Sequence, residues 1–381
     1  MYRAERGLFE LRRGRALYVR SAAADQATEE GAVLASVEGL GHETLERLRW
    51  LSGGYVRLVV TGHRARVLGL SPSGSPRAWS LNLNGENPTE IMRLSSAVAV
   101  RPTAPCDVRE ASAAEAAGLA LVRLGRLLPA VVSVPSDLAR AGALPGWLAD
   151  AGVLDVTSAE IEAMVGKPQV EVTYVSDAPV PLAEAEDARF VIFTETNGLL
   201  EHVAILIGQR QDWPDPIPVR LHSACLTGDL FGSLRCDCGE QLRGTLQLFN
   251  ARKGGVLLYL AQEGRAIGLG NKFRAYALQD EGLDTIDADC TLGFGADERR
   301  YDVAVQILRK LGIERVQLVT NNPDKMRALE EGGIHVAARL PLHGRINRHN
   351  LTYVRAKVHR AGHWLGEMLA GAGDQNDTAS R

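Results

Sequence analysis

The stretch from Asp302 to Gly333, DVAVQILRKLGIERVQLVTNNPDKMRALEEGG, decides the fold class. Its first part, DVAVQILRKLG, sets apolar residues at helical spacing and stops at Gly312. VQLVTNN is an apolar run of strand length, and Pro323 then opens PDKMRALEEGG, a second helix closed by a glycine pair. Working outward, FVIFTET (190–196), HVAILIG (202–208), PVRLHSA (218–224) and GGVLLYLA (254–261) read as strands, and EQLRGTLQLFNARKG (240–254) as a helix. Toward the start, GRALYVRSA (14–22), YVRLVVTG (55–62) and AVVSVP (130–135) read as strands. ETLERLRWLSGG (43–54), SAAEAAGLALVRLGRLL (112–128) and SAEIEAMVG (158–166) read as helices, the second capped by Ser112 and followed by Pro129. Residues 76–110 lose periodicity and hold several prolines, which predicts loop and edge. SDAPVPLAEAEDARF (176–190) reads as a linker. The expectation is an α/β protein of two domains, 1–185 and 186–381, each a mixed sheet with flanking helices.

Composition narrows the function. The 381 residues suit two or three domains of about 150 each. Lys+Arg 43 against Asp+Glu 46 leaves a net charge of -3, which argues against a nucleic-acid partner held by counterion release. No uncharged run reaches the ~18 residues of a membrane helix, and MYRAERGLFELRRGR is too charged for a secretory signal. A cytoplasmic enzyme or binding protein with no membrane partner is expected. Cys106, Cys225, Cys236, Cys238 and Cys290 make an odd set, so reduced thiols are expected.

Three of those thiols fall in CLTGDLFGSLRCDC, as Cys225-x10-Cys236-x-Cys238. Thiolates suit zinc, and three protein ligands leave a fourth position for water. His222 lies three residues before Cys225 and is a possible fourth ligand, so an open and a closed site both fit the spacing. Cys106 and Cys290 have no partner by spacing. QEGRAIGLGNKFRAYALQDEG (262–282) matches neither a dinucleotide loop nor a P-loop, and its glycines mark a turn into a helix near Asn271. Glu263 suits an N–H edge of a guanine-type base and Arg265 a phosphate. GFGADERRYD (293–302) carries Asp297 and Arg299, equally readable as an acidic helix start. LVTNNPDK (318–325) is a strand end facing a helix N-terminus, the usual ligand position of α/β sheets, with Lys325 in reach of a phosphate.

Taken together and in this order, VRLHSACLTGDLFGSLRCDCG, LLYLAQEGRAIGLGNKFRAYALQDEGLDT, LGFGADERRYD and LVTNNPDK resemble GTP cyclohydrolase II over residues 185–365. The resemblance implies hydrolysis of GTP to formate, pyrophosphate and 2,5-diamino-6-(5-phosphoribosylamino)pyrimidin-4-one, the first committed step of riboflavin synthesis. It implies one Zn²⁺ per chain on Cys225, Cys236 and Cys238, Mg²⁺ with the triphosphate, and a homodimer. Arg220, Leu221, His222, Ser223, Gln241, Glu263, Gly264, Arg265, Thr285, Thr320 and Lys325 match its nucleotide-binding positions. Asp297 matches the proton acceptor, Arg299 the residue described as a nucleophile, and Tyr276 a tyrosine of the full reaction. Two positions depart from the pattern: Ala224 where the family commonly has Glu, and Ala261 where it often has Arg. The competing reading is a GTP-binding regulator without turnover.

The first half resembles 3,4-dihydroxy-2-butanone 4-phosphate synthase along GRALYVRS, TEEGAVLASVE and TLERLRWLSGGYVRLVVTGHRARVLGL. That family's acidic Asp-Arg-Glu-x-Glu-Gly-Asp cluster is reduced here to Glu30-Gly31 followed by Ala32. Its Gly-His-Thr-Glu run reads ASAAEAA, and the only histidines before residue 200 are His42 and His63, in other contexts. One carboxylate without an imidazole is a poor Mg²⁺ site. The expectation is a synthase-like domain without its chemistry.

Overall fold

The computed structural model describes residues 2–21, 30–70, 78–103, 106–140, 142–166, 171–360, 362 and 364. The chain divides into two units, residues 1–167 with 267–298 and residues 168–266 with 299–381. Each has its own seven-stranded mixed sheet with helices beside it, as the alternating pattern predicted. No helix among the described residues is long and apolar enough to cross a membrane.

In the first unit the strands are β1 (Leu17–Arg20), β2 (Gly31–Ser36), β3 (Val56–Val60), β4 (Trp79–Leu83), β5 (Val108–Glu110), β6 (Ala130–Pro135) and β7 (Leu154–Thr157), in the order β5-β4-β3-β6-β2-β1-β7. Pairing is antiparallel except between β1 and β7. β3 and β6 are buried along their whole length because VRLVV and AVVSVP present apolar residues to both faces. Ser112 caps the helix Ala113–Leu124, and Glu115 completes the capping box. The Glu115 carboxylate is fully buried, and accepts from Ser112 N at 2.8 Å, Arg109 at 2.8 and 3.1 Å, Ser80 Oγ at 3.1 Å and Ser133 Oγ at 2.9 Å. A buried charge is tolerable only when its lone pairs are met this fully.

Residues 76–110 hold more structure than their prolines suggested. Asn87 caps a helix over Pro88–Ser96 with a capping box to Glu90, a signal the aperiodic reading passed over. Residues 22–29, most of the stretch compared with the synthase's acidic cluster, lie outside the described residues. Gly31 and Ala32 open β2.

The segment 267–298 departs from the expected division at 185, because its apolar face belongs to the first unit's core. Ile267, Ala275, Leu278, Ala288, Leu292 and Phe294 pack there with Leu58, Val60 and Leu128. Arg64 fixes it further. Its guanidinium, 1% exposed, donates to Leu94 O at 2.8 Å, Ala97 O at 2.8 Å, Arg93 O at 3.2 Å and Thr291 O at 3.0 Å. These carbonyls lie at the C-terminal ends of the helices Pro88–Ser96 and Thr285–Thr291, where a cation meets the negative end of the dipole. Burial lowers the Arg64 pKa to about 10.

The second unit's strands are β8 (Val172–Pro179), β9 (Arg189–Glu195), β10 (Glu201–Ile207), β11 (Ile217–Ser223), β12 (Gly255–Leu260), β13 (Arg315–Val319) and β14 (His335–Leu340), in the order β14-β13-β11-β12-β10-β9-β8. The stretch expected to be a linker, 176–190, supplies the end of β8 and the start of β9, two strands paired antiparallel from Val172↔Glu195 to Pro179↔Arg189. Proline is tolerated there because β8 is the edge strand and Pro179 is its last residue. β12, β11, β13 and β14 run parallel, with the helix Cys238–Ala251 crossing from β11 to β12 and the helix Pro323–Glu331 from β13 to β14.

Replacing Arg64 with Met strands several buried carbonyls at once. The expected loss of unfolding free energy in urea is on the order of 3 kcal/mol. A loss under about 1 kcal/mol would show that the guanidinium does not hold these helix ends.

Candidate functional site

Strand order sets the site's place. From β11 the chain crosses to β12 on one side, and the later pair β13 and β14 lies on the other. A parallel sheet leaves a crevice at the carboxyl ends where its order reverses, here between β11 and β13. Register widens it. β11 pairs with β12 as far as Ser223↔Leu260, but with β13 only from Ile217↔Val316 to Val219↔Leu318. Past Val219 the two strands are joined by side chains instead. Arg220 Nη1 donates to Val319 O at 3.1 Å, and Lys325 Nζ donates to Leu221 O at 2.7 Å. Arg220 also meets Gln241 Oε1 at 2.5 Å, and Gln241 Nε2 donates to Asp237 Oδ2 at 2.5 Å. Burial lowers the Arg220 pKa to about 10, against the pull of Asp237.

The end of β11 leads directly into the cysteines. The ligand atoms of Cys225, Cys236 and Cys238 lie within 4.8 Å of one another, and Cys225 Sγ is 3.7 Å from Cys236 Sγ. Gly228 makes this approach possible, since a Cβ there would stand 2.6 Å from Cys236 Sγ and 3.1 Å from Cys225 Sγ. Asp229 ties the loop to the sheet. Its carboxylate accepts from Cys225 N at 2.9 Å, from Tyr259 Oη at 3.0 Å and from His222 Nε2 at 3.0 Å. The His222 and Tyr259 rings stack at 5.6 Å. Burial lowers the His222 pKa although Asp229 pulls the other way.

A GTP cyclohydrolase II family model matches residues 173–341. A GTP cyclohydrolase-2 from Xylella fastidiosa (strain 9a5c) is 42% identical over 95% of this chain and 87% of its own length. The chain belongs to the GTP cyclohydrolase II family. A GTP cyclohydrolase-2 from Azospirillum brasilense is 38% identical over 95% of this chain and 94% of its own. Among solved structures, a two-domain 3,4-dihydroxy-2-butanone 4-phosphate synthase from A. baumannii covers 90% of this chain and 99% of its own. Its 16% identity and TM-score of 0.33 are too slight to carry a conclusion.

The cysteine trio fits a family zinc. Tetrahedral coordination with Zn–S bonds of ~2.3 Å puts sulfurs about 3.8 Å apart, close to the spacing found. As thiolates they suit each other poorly when nothing positive lies among them: Cys225 beside it, together with burial, pushes the Cys236 thiol up to about 11, and Cys238 is raised for the same reasons. A cation among them would reverse both shifts. His222 is not part of this group and directs Nε2 to Asp229, so its candidacy as fourth ligand finds no support.

Arg220, Leu221, Gln241 and Lys325 meet at this crevice. The second unit holds Arg220, Leu221, His222, Ser223, Gln241, Glu263, Gly264, Arg265, Arg299, Thr320 and Lys325. Glu263 Oε2 accepts from Leu226 N at 2.6 Å, beside the first cysteine. Arg220 Nε, Ser223 Oγ, Gln262 Oε1 and Asn321 Oδ1 are buried without a hydrogen-bond partner among the described residues. Arg299 and Lys325 stand 5.9 and 5.8 Å from the Tyr301 ring. Tyr276, Thr285 and Asp297 fall in the first unit. Tyr276 stacks on Phe273 at 6.2 Å, and Thr285 opens the helix Thr285–Thr291. Asp297 is exposed in an irregular link, several residues ahead of the helix Asp302–Lys310, so it is not part of a helix start. Asp229 and Tyr259 were missed. An aspartate four residues after Cys225 was the available signal, and nothing in GGVLLYLA marks its tyrosine.

Gly228→Ala should lower bound zinc from about one per chain to well under half, because a Cβ fits only if a ligand sulfur moves. Metal analysis beside far-UV circular dichroism checks this. Full zinc in the variant would contradict the close packing of the trio.

Proposed function

We propose that this protein hydrolyses GTP to 2,5-diamino-6-(5-phosphoribosylamino)pyrimidin-4-one, formate and pyrophosphate, within riboflavin biosynthesis. The observation that carries the reading is the three-sulfur cluster at the end of β11, beside a crevice with buried polar atoms left over for a ligand. Cys225, Cys236 and Cys238 would hold one Zn²⁺, which supplies Lewis acidity for hydrolysis at guanine C8. Mg²⁺ would accompany the triphosphate.

The chain's own residues do the rest. Arg220 and Ser223 have spare hydrogen-bonding capacity facing a buried crevice, which suits polar recognition of the nucleotide. Glu263 offers a carboxylate to guanine N–H groups, and its bond to Leu226 N holds that carboxylate at the cysteine loop. Lys325, Arg265 and Arg299 bring positive charge for the phosphates. A delocalised, positively charged guanidinium is a weak nucleophile, so charge stabilisation at the α-phosphate is the role assigned to Arg299. Asp297 accepts a proton, and the Tyr276 phenol orients or protonates the formamide intermediate before the second hydrolysis. His222, Leu221, Gln241, Gly264, Thr285 and Thr320 complete the nucleotide-binding set.

The first unit is read as a scaffold without synthase activity. The relatives named GTP cyclohydrolase-2 align across it, and its Glu115 carboxylate is saturated by internal donors. The protein is further read as a cytoplasmic homodimer acting on a small molecule, without nucleic-acid or membrane partners.

Purified protein with GTP, Mg²⁺ and Zn²⁺ should release formate and pyrophosphate, and Cys236→Ser should abolish formate. Tyr276→Phe should cut formate far more than pyrophosphate and accumulate a formamide, whereas Arg299→Ala should suppress pyrophosphate. Equal loss of both products in both variants would overturn this division of roles. Ribulose 5-phosphate with Mg²⁺ should give no dihydroxybutanone phosphate above background, and clear product would overturn the scaffold reading.

A further inference from the structure

The turn that carries Glu263 is strained. Gly264, Arg265 and Ala266 have φ of 61, 59 and 73°, and Ala266 N closes on Gln262 O at 3.0 Å, making one turn of left-handed helix. At this φ the Cβ of each non-glycine residue crowds its own backbone, so neighbouring structure must impose the conformation. Three contacts do so. Glu263 is held by Leu226 N, and Gln262 Nε2 donates to Arg300 O. The third lies at the entry to the turn, where Ala261 N donates to His202 Nδ1 at 3.1 Å.

His202 is fully buried on β10, and its Nε2 lies 3.2 Å from Glu195 Oε1 on β9. A ring nitrogen that accepts from an amide carries no proton, so Nε2 holds the proton and donates it to Glu195. Glu195 thereby fixes the tautomer and the ring's direction. The imidazole also stands where a ladder partner would be. β10 pairs with β12 from Ile207↔Gly255 to Val203↔Tyr259, and the next amides would extend that ladder. Leu260 O accepts from Ala224 N at 2.8 Å, which continues the pairing to β11, and from Gln262 N at 2.7 Å, a tight turn that bends the chain away from β10 at the next residue. The side chain of His202 satisfies the amide that the bend leaves over.

We propose that His202, oriented by Glu195, is a positioning residue: it ends β12 and sets the left-handed turn that presents Glu263 to the nucleotide. The proposal rests on the GTP reading above. It assigns a task to two buried polar residues, His202 and Glu195.

Two substitutions in the full chain separate positioning from packing. His202→Asn keeps an acceptor at the δ position and leaves a void, whereas His202→Phe fills the volume and removes the acceptor. A packing role makes Phe the better variant and lets activity follow thermal stability. Positioning ranks them oppositely: His202→Phe should raise KM for GTP about tenfold or more, with kcat changed far less, and His202→Asn should stay within about threefold of wild type in KM despite a lower Tm. Amide exchange over residues 258–266, read without nucleotide, should be about tenfold faster in His202→Phe and close to wild type in His202→Asn. Equal KM or equal exchange in the two variants would overturn the proposal. If wild-type protein left GTP intact, the functional reading would fall, while exchange would still decide whether His202 sets the turn.

Discussion

The Asp229 carboxylate is the contact on which the site depends. It is buried, and a buried carboxylate is destabilising by several kcal/mol unless donors surround it. Its donors come from three places: the backbone at Cys225, the phenol of Tyr259 on β12 and the imidazole of His222 on β11. Satisfying that one charge therefore fixes the first cysteine relative to two parallel strands. Gly228 then lets the returning chain bring Cys236 against Cys225. Contacts within the chain thus hold the first two cysteines against each other.

Sheet topology supplies the second constraint. Pairing of β11 with β13 stops early, and the polar side chains of Arg220 and Lys325 take over the gap. The carbonyls of Val319 and Leu221 are met by those side chains, while Arg220 Nε and Ser223 Oγ stay buried without a hydrogen-bond partner among the described residues. The family match at 173–341 nevertheless includes residues 267–298, which build into the first unit's core. Tyr276, Thr285 and Asp297 belong to that segment.

The sequence made the alternation of helices and strands legible, because amphipathic runs such as DVAVQILRKLG and glycine stops depend on local spacing alone. The cysteine trio was legible for the same reason. What escaped was set by long-range partners. The end of β8, SDAP, reads as linker because an exposed edge strand leaves it without apolar patterning. The allegiance of 267–298 depends on Arg64, which lies more than two hundred residues earlier than Thr291. His202 and Glu195 look like ordinary strand residues until the bend at Leu260 shows which amide needs an acceptor.

The proposed zinc site has three sulfur ligands and a fourth position open to solvent or substrate. X-ray absorption at the zinc edge of the zinc-loaded full chain reads that ligand set directly. Three sulfur scatterers at ~2.3 Å and one oxygen at about 2.0 Å are expected. A fourth sulfur, or an imidazole in the fourth place, would contradict it.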